Sequence, residues 1–463
     1  MTDSPLVRRI GFVSATAIVV SNMIGTGIFT IPAFLAGDLG TPTLVIGIWF
    51  VGAAIAVIGA LCYSELGVNF PRSGGEYIYL TEAWGPAWGF IDGWVTFFAG
   101  FSAPIAVAAL AISAYLAYFF PLLGQEAAGE PMMSLGFLTI QLGGAQLTAC
   151  AVVMVFTVLN VFNVSRVAAL QNVLTAMKLL VLLAFLVLGF SVGDGGWDHF
   201  SQAAQRGSSL PVGAQFAISL VFIYLGYSGW NAAVYVAEEI REPEKTLPRA
   251  LLCGTLVVAV FFVALNCLYI YANPLEQMAG KLAVGATASA ALFGPGAAGF
   301  FAAAMTASLL ATVNAMCLIG PRVYYAMARN RAFLAIAGKT HPKWKSPWVA
   351  VLAQGACCCL LILTGTFETL LYYIGFTLNL FSALSVLALF KFRRRPDWKP
   401  IGWVSFAYPT VPALYIGVNL LIFSYFVSNK LQEATWALLT ILAGAAAYHF
   451  YLRTHPADPT APT

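Results

Sequence analysis

The chain has 463 residues, 60% of them apolar and only 9% charged, where a soluble domain carries roughly 25% charged side chains. That balance excludes a soluble enzyme and a disordered linker, and it places the chain in a lipid bilayer. The net charge of +4 is too small to mark a nucleic acid partner, so the placement of the charges matters more than their sum.

Apolar runs of the ~20 residues needed to cross a membrane recur along the sequence. They predict an all-α membrane protein of twelve transmembrane helices, at 11–37, 42–69, 86–120, 147–163, 167–193, 211–240, 247–272, 285–328, 347–364, 367–392, 403–428 and 432–453. Residues 1–10 form a short polar N-terminus, and the run after it is longer than a signal-peptide core, so no cleavage is expected. Span one holds the first unusual stretch, Ser21-Asn22-Met23-Ile24-Gly25-Thr26-Gly27-Ile28-Phe29. A glycine costs about 1 kcal/mol relative to alanine inside a helix, so two of them around a threonine favour local unwinding. A broken helix at membrane depth leaves N–H and C=O groups without partners, which is tolerable only where backbone is buried in protein or lines a wet cavity. The stretch therefore reads as a binding site.

Glu65 and Asp92 lie near the inner ends of spans two and three, with Arg72 and Glu76 between them. Salt bridging on that side is expected, with Glu65 and Arg72 as gating candidates. The external segment from Gly124 to Gly144 has no cysteine and no basic residue. All eight cysteines fall in apolar runs and read as buried thiols. The triplet Cys357–Cys359 points its side chains in different directions on a helix, so no metal site is expected. Span five carries Lys178, the one basic residue in mid-membrane. A lysine at the bilayer centre costs about 2.5–3.5 kcal/mol, so it must face the bundle interior. Span six repeats the glycine interruption at Tyr224-Leu225-Gly226-Tyr227-Ser228-Gly229-Trp230-Asn231.

Orientation follows from the basic residues of the loops. With the N-terminus inside and the spans alternating, nineteen of the 23 fall inside and three, Arg206, Lys281 and Lys430, outside. Both termini are expected in the cytoplasm, with the chain in the plasma membrane. Two interrupted helices at matching places predict five-helix inverted repeats at 11–193 and 211–392, as in secondary transporters. Two additional helices at 403–453 and a disordered cytoplasmic tail at 454–463 complete the chain.

Backbone electrostatics supply a mechanism. The half-helix that begins at a break presents unpaired N–H groups and a positive dipole end to an anion, and the half that ends there presents carbonyls to a cation. A free amino acid carries both charges on neighbouring atoms. The plainer reading, that the glycines only permit close helix packing, fits a single motif better than a matched pair.

Gly25-Thr26-Gly27-Ile28-Phe29 resembles the GSGIF-type motif of the amino acid–polyamine–organocation (APC) superfamily. Tyr63 to Leu66 with Phe70 to Tyr77, then Gly229-Trp230-Asn231 with Glu238 to Ile240, and Pro243 with Leu247 to Ala250, resemble further motifs of that family in order. Asn172 to Leu180 is similar to the fifth helix of its L-type amino acid transporter branch. The resemblance implies a LeuT-like 5+5 fold with discontinuous first and sixth helices, and transport of amino acids without a cofactor. Carried over by position, it implies that the Thr26, Gly27 and Ile28 N–H groups, next to Ile24 and Gly25, receive the carboxylate. The Met23 and Leu225 carbonyls and Ser228 would receive the ammonium, with Tyr227 and Asn231 completing the site. Leu225 stands where the family often has an aromatic gate, so Tyr224 joins it as a gating candidate. Lys178 would occupy the place of the sodium ion of sodium-coupled relatives and is a candidate to give up its proton during transport.

The expected function is sodium-independent secondary active transport of neutral L-amino acids, as an exchanger or a proton-coupled symporter working as a monomer. With no cysteine in the external loop, no disulfide-linked heavy subunit is expected. No acidic residue is expected at the depth of the breaks, which disfavours the alternative of a polyamine or cationic amino acid antiporter. A non-transporting sensor keeps the same fold. An intramembrane serine protease through Gly226-Tyr227-Ser228-Gly229 lacks a histidine base at that depth, and an ATP-driven pump lacks a phosphate-binding loop.

Overall fold

The computed structural model describes residues 8, 10–72, 74–123, 131–135, 138–162, 164–329, 333–344, 346–402 and 407–452. The tail at 454–463 lies outside them. Span one is the bent pair α1 (Phe12–Met23) and α2 (Gly27–Leu39), which meet at 43°. There follow α3 (Pro42–Asn69), α4 (Glu76–Trp84), α5 (Pro86–Leu116), α6 (Gly144–Val161), α7 (Val164–Val192) and α8 (Val212–Gly226). The second half holds α9 (Pro243–Ala272), α10 (Val284–Phe293), α11 (Pro295–Arg329), α12 (Trp348–Thr364), α13 (Phe367–Phe392), α14 (Thr410–Asn429) and α15 (Leu431–Ala447). Among the described residues, eight helices are long and apolar enough to cross a membrane, and the bent pair α1–α2 makes nine.

Local sequence explains the ends. Pro86 and Pro243 open α5 and α9, where a missing N–H costs nothing. Thr366 caps α13: its hydroxyl accepts from the Thr369 N–H at 3.2 Å, while the Thr369 hydroxyl accepts from the Thr366 N–H at 2.9 Å. The centre of the bundle is built close: Ala103, Ala106, Ala108, Ala109 and Ala111 of α5 are fully buried. Small side chains let helix backbones approach where lipid supplies no hydrophobic drive between helices. α5 and α7 both pack on α11, and α3 packs along α9.

Two expected spans are corrected, and two connections carry structure of their own. Span eight, read as one run at 285–328, is two helices parted at Gly294, because Pro295 has no N–H to continue α10. The connection between spans two and three contains α4, capped by the Gly74-Gly75 turn. The external segment contains an antiparallel pair, Pro131–Leu135 with Leu138–Gln141. Span eleven begins later than expected, at Thr410; residues 403–406 lie outside the described ones.

Candidate functional site: two broken helices and a buried lysine

α1 stops at Met23. Ile24 leaves helical geometry at φ −76°, ψ 82°, and the Gly25 N–H turns back to the Met23 carbonyl at 2.8 Å. α2 restarts at Gly27, so the N–H groups of Gly27 and Ile28 have no carbonyl four residues back within their own helix. The Phe29 N–H is taken by the Thr26 carbonyl at 3.0 Å. The break thus places free donors at the start of one half-helix beside the carbonyl end of the other.

The second break follows α8. The chain turns through Tyr227 to Asn231 and continues as a short 3-10 helix, Ala232–Glu239. Gly229 sits at φ +95°, a conformation glycine adopts without cost, and a side chain there would meet the Asn22 backbone at 2.9 Å. Nearer the other end, a Cβ on Gly27 would lie 2.7 Å from the Gly226 Cα. The two breaks therefore touch, backbone to backbone. Accordingly α2 packs on α8, and α1 packs on the 3-10 segment, so the two spans run side by side through both halves.

Lys178 of α7 is buried and reaches the first break. Its Nζ donates to the Ile24 carbonyl at 2.6 Å and to the Ser21 carbonyl at 3.2 Å. An ammonium at the C-terminal end of α1 meets the negative end of that helix and two of its orphan carbonyls.

The remaining candidates divide. The Leu225 carbonyl already accepts the Ser228 N–H at 3.0 Å, and like the Met23 carbonyl it keeps a second lone pair for an ammonium. The Tyr227 hydroxyl donates to the Trp49 carbonyl at 3.0 Å, with its ring 5.7 Å from Trp49 and 5.3 Å from Phe262. That side chain serves the packing of α8 on α3 and α9. The Tyr224 hydroxyl bonds to Ser382 and lies 3.4 Å from the Tyr415 hydroxyl, joining α8 to α13 and α14. The Asn231 amide donates to the Glu76 carboxylate at 3.4 Å.

That last contact corrects the expectation of no acid near the breaks. By sequence alone Glu76 reads as part of a connecting loop, but the Gly74-Gly75 turn and α4 fold it back under the second break. It is buried, and it also accepts from the Tyr63 hydroxyl. No local sequence pattern marks this; the glycine pair before Glu76 is the available signal.

The gating candidates separate as well. Glu65 holds Arg393 through two hydrogen bonds of 2.7 and 2.6 Å and accepts from Trp398 Nε1 at 2.7 Å, tying the end of α3 to the segment after α13. Beside it, Asn69 and Lys399 exchange two bonds of 2.9 Å. Ile10 forms a one-residue bridge with Ile240, its N–H to the Glu239 carbonyl and its carbonyl from the Arg241 N–H, both at 2.9 Å. Arg72 instead pairs with Glu82, on an exposed edge. Of the two, Glu65 and not Arg72 joins α3 to the segment after α13.

Two touching helix breaks with main-chain donors, main-chain acceptors and one buried ammonium define a multi-pass membrane protein of the permease type. The amino acid permease family model matches residues 10–447, and the chain belongs to that family. This agrees with the APC resemblance read from the motifs. Among its relatives, "Large neutral amino acids transporter small subunit 2" of Mus musculus is 30% identical over 426 residues, 90% of this chain and 76% of that protein. "b(0,+)-type amino acid transporter 1" of Mus musculus is 27% identical over 459 residues, 98% of this chain and 89% of that protein. "Serine/threonine exchanger SteT" of Bacillus subtilis (strain 168) is 25% identical over 452 residues, 96% of this chain and 97% of that protein. These relatives are transporters and not enzymes.

Proposed function

We propose that the protein is a sodium-independent secondary transporter of neutral L-amino acids that works by exchange across the plasma membrane. The observation that carries this reading is the contact of the two breaks at Gly27 and Gly226 with Lys178 on the Ile24 carbonyl. The N–H groups opening α2 receive the substrate carboxylate, and the carbonyls of Met23 and Leu225 with Ser228 receive its ammonium. Lys178 stands where a sodium ion would otherwise neutralise the α1 carbonyls. The relative named as a serine/threonine exchanger supports exchange, and those named for neutral amino acids support the substrate class.

The void beside the second break, lined by Gly52, Ile55, Ala56, Ile223, Tyr224, Tyr227 and Trp230, measures about 10 Å³. That is the space of about one water. An amino acid enters only when the broken helices part from the surrounding bundle, which is alternating access. In this reading the short apolar helices α8 and α12, together with α15, cross the membrane beside the nine longer units, as a LeuT-like 5+5 repeat plus two. The basic loops put both termini in the cytoplasm and make the Glu65–Arg393 pair an inner gate. One relative is named a small subunit, but the external loop here has no cysteine, so this chain works without a disulfide-linked partner.

The test is uptake of labelled serine, threonine, leucine and phenylalanine into sealed vesicles containing the purified protein, in sodium-free buffer. Exchange predicts uptake only into vesicles preloaded with unlabelled amino acid. Uptake that demands sodium, or none of these substrates moving, would overturn the reading.

A further inference from the structure

Lys178 is not the only buried ionisable group beside a break. Glu76 is 6% exposed and sits under the second one. The turn before it is shaped for the purpose. Gly75 at φ +54° lies so close under Tyr235 that a Cβ would meet its ring at 2.6 Å, which presses the Glu76 backbone against the 3-10 segment following the break.

Every element around this carboxyl presents a neutral or acidic group. Tyr63 of α3 and Asn231 at the break donate to it, and the Tyr235 ring of the 3-10 segment lies over the Gly75 turn just before it. Tyr79 of α4, Tyr224 of α8 and Tyr415 of α14 lie within its electrostatic reach. So does Asp92 of α5, itself buried. None of the ion pairs among the described residues includes Glu76 or Asp92. A buried carboxylate without a cation is costly, and a second buried carboxyl nearby adds to the cost. Burial pushes the Glu76 carboxyl up from its ordinary 4.5 to about 7, with the hydrogen bonds from Tyr63 and Asn231 opposing it.

We propose that the Glu76 carboxyl is a proton-binding site at the inner end of the second break, loaded and unloaded during the transport cycle. Ionised, it accepts from Asn231 and Tyr63 and holds the 3-10 segment against α3 and α4. Protonated, it is a weaker acceptor, and the segment after the break is freer to swing. Proton binding is a statement about Glu76 alone; its coupling to the cycle rests on the transport reading above.

The experiment is infrared difference spectroscopy of the full-length protein in phosphatidylethanolamine–phosphatidylglycerol vesicles, stepped from about pH 5 to about pH 9. A protonated-carboxyl band should disappear with a midpoint near neutrality, be lost in Glu76→Gln, and move to higher pH in Tyr63→Phe, which removes a donor to the carboxylate. A band untouched by both substitutions, or one that titrates in the ordinary carboxylate range, would overturn the site. The same vesicles, preloaded with unlabelled leucine and serine and with a pH-sensitive dye, report coupling. Labelled leucine or serine uptake should vary with pH in wild type and lose that dependence in Glu76→Gln. An unaltered pH profile in that variant would overturn the coupling. If the band titrates as expected while wild type moves no label, the proton site stands and the transport reading fails.

Discussion

Gly27→Ala adds one methyl group at the point where the two broken spans meet. Its Cβ would lie 2.7 Å from the Gly226 Cα and 3.1 Å from Ile31 Cδ1, closer than carbon atoms approach without movement. The first neighbour is backbone, so a rotamer change cannot relieve it, and α8 must shift relative to α2. Overpacking of this kind costs about 1–3 kcal/mol. If that cost falls on the ligand-binding arrangement, affinity drops roughly 5- to 150-fold. Gly27→Val should abolish binding. Two neighbours calibrate the effect. On Gly226 a Cβ would meet Ile31 Cδ1 at 3.2 Å and Trp49 at 3.3 Å, tight contacts with side chains that can yield. On Gly25 the nearest atom is Thr312 Cγ2 at 3.9 Å, an ordinary contact. Binding of labelled leucine and serine to purified protein in vesicles should therefore weaken most in Gly27→Ala, less in Gly226→Ala and least in Gly25→Ala. All three should elute as folded protein by size exclusion. Equal losses in all three, or a Gly27→Val variant that still binds, would show that the glycines serve only packing.

Lys178→Met leaves the Ile24 and Ser21 carbonyls without their charged donor. Hydrogen bonds to charged groups contribute about 1.5–3 kcal/mol, so binding in the same assay should weaken at least tenfold; an unchanged affinity would contradict the role given to this lysine. Glu65→Ala breaks a buried ion pair, a change worth about 3–5 kcal/mol. Cys62 shares a crevice with Glu65 and Arg393, so with the other seven cysteines replaced, its labelling by maleimide from the inner side should speed up; an unaltered rate would argue against an inner gate there. The raised Glu76 pKa also has a stability consequence. A group whose carboxyl is favoured protonated in the folded state contributes stability at low pH that is lost as pH rises through about 7. The melting temperature should fall across that window in wild type, and the fall should shrink in Glu76→Gln.

Hydropathy and glycine placement make the helical class, the bend between Met23 and Gly27 and the interruption at Gly226–Gly229 legible in the sequence, because each is a local property of the chain. Lys178 is legible for a different reason: an isolated charge in an apolar run must find partners inside the bundle. Contacts between distant residues are not legible. Glu65 and Arg393 are far apart in sequence, and nothing in either neighbourhood names the other. Glu76 reads as a loop residue because the fold-back of α4 depends on two glycines whose positive φ angles emerge only in three dimensions. Tyr227 sits in a motif that reads as a site, yet its ring fills the space between α3 and α9. A pattern locates the main chain of such a motif better than it assigns its side chains.

The central claim is that main-chain groups at the two breaks hold the carboxylate and ammonium common to all α-amino acids. Competition against labelled leucine exchange tests it most directly, using leucine, serine, leucine methyl ester and N-acetyl-leucine. The account predicts that leucine and serine compete, while the ester, without its carboxylate, and the acetyl derivative, without its ammonium, do not. Competition by either blocked compound as strong as that by leucine would contradict it.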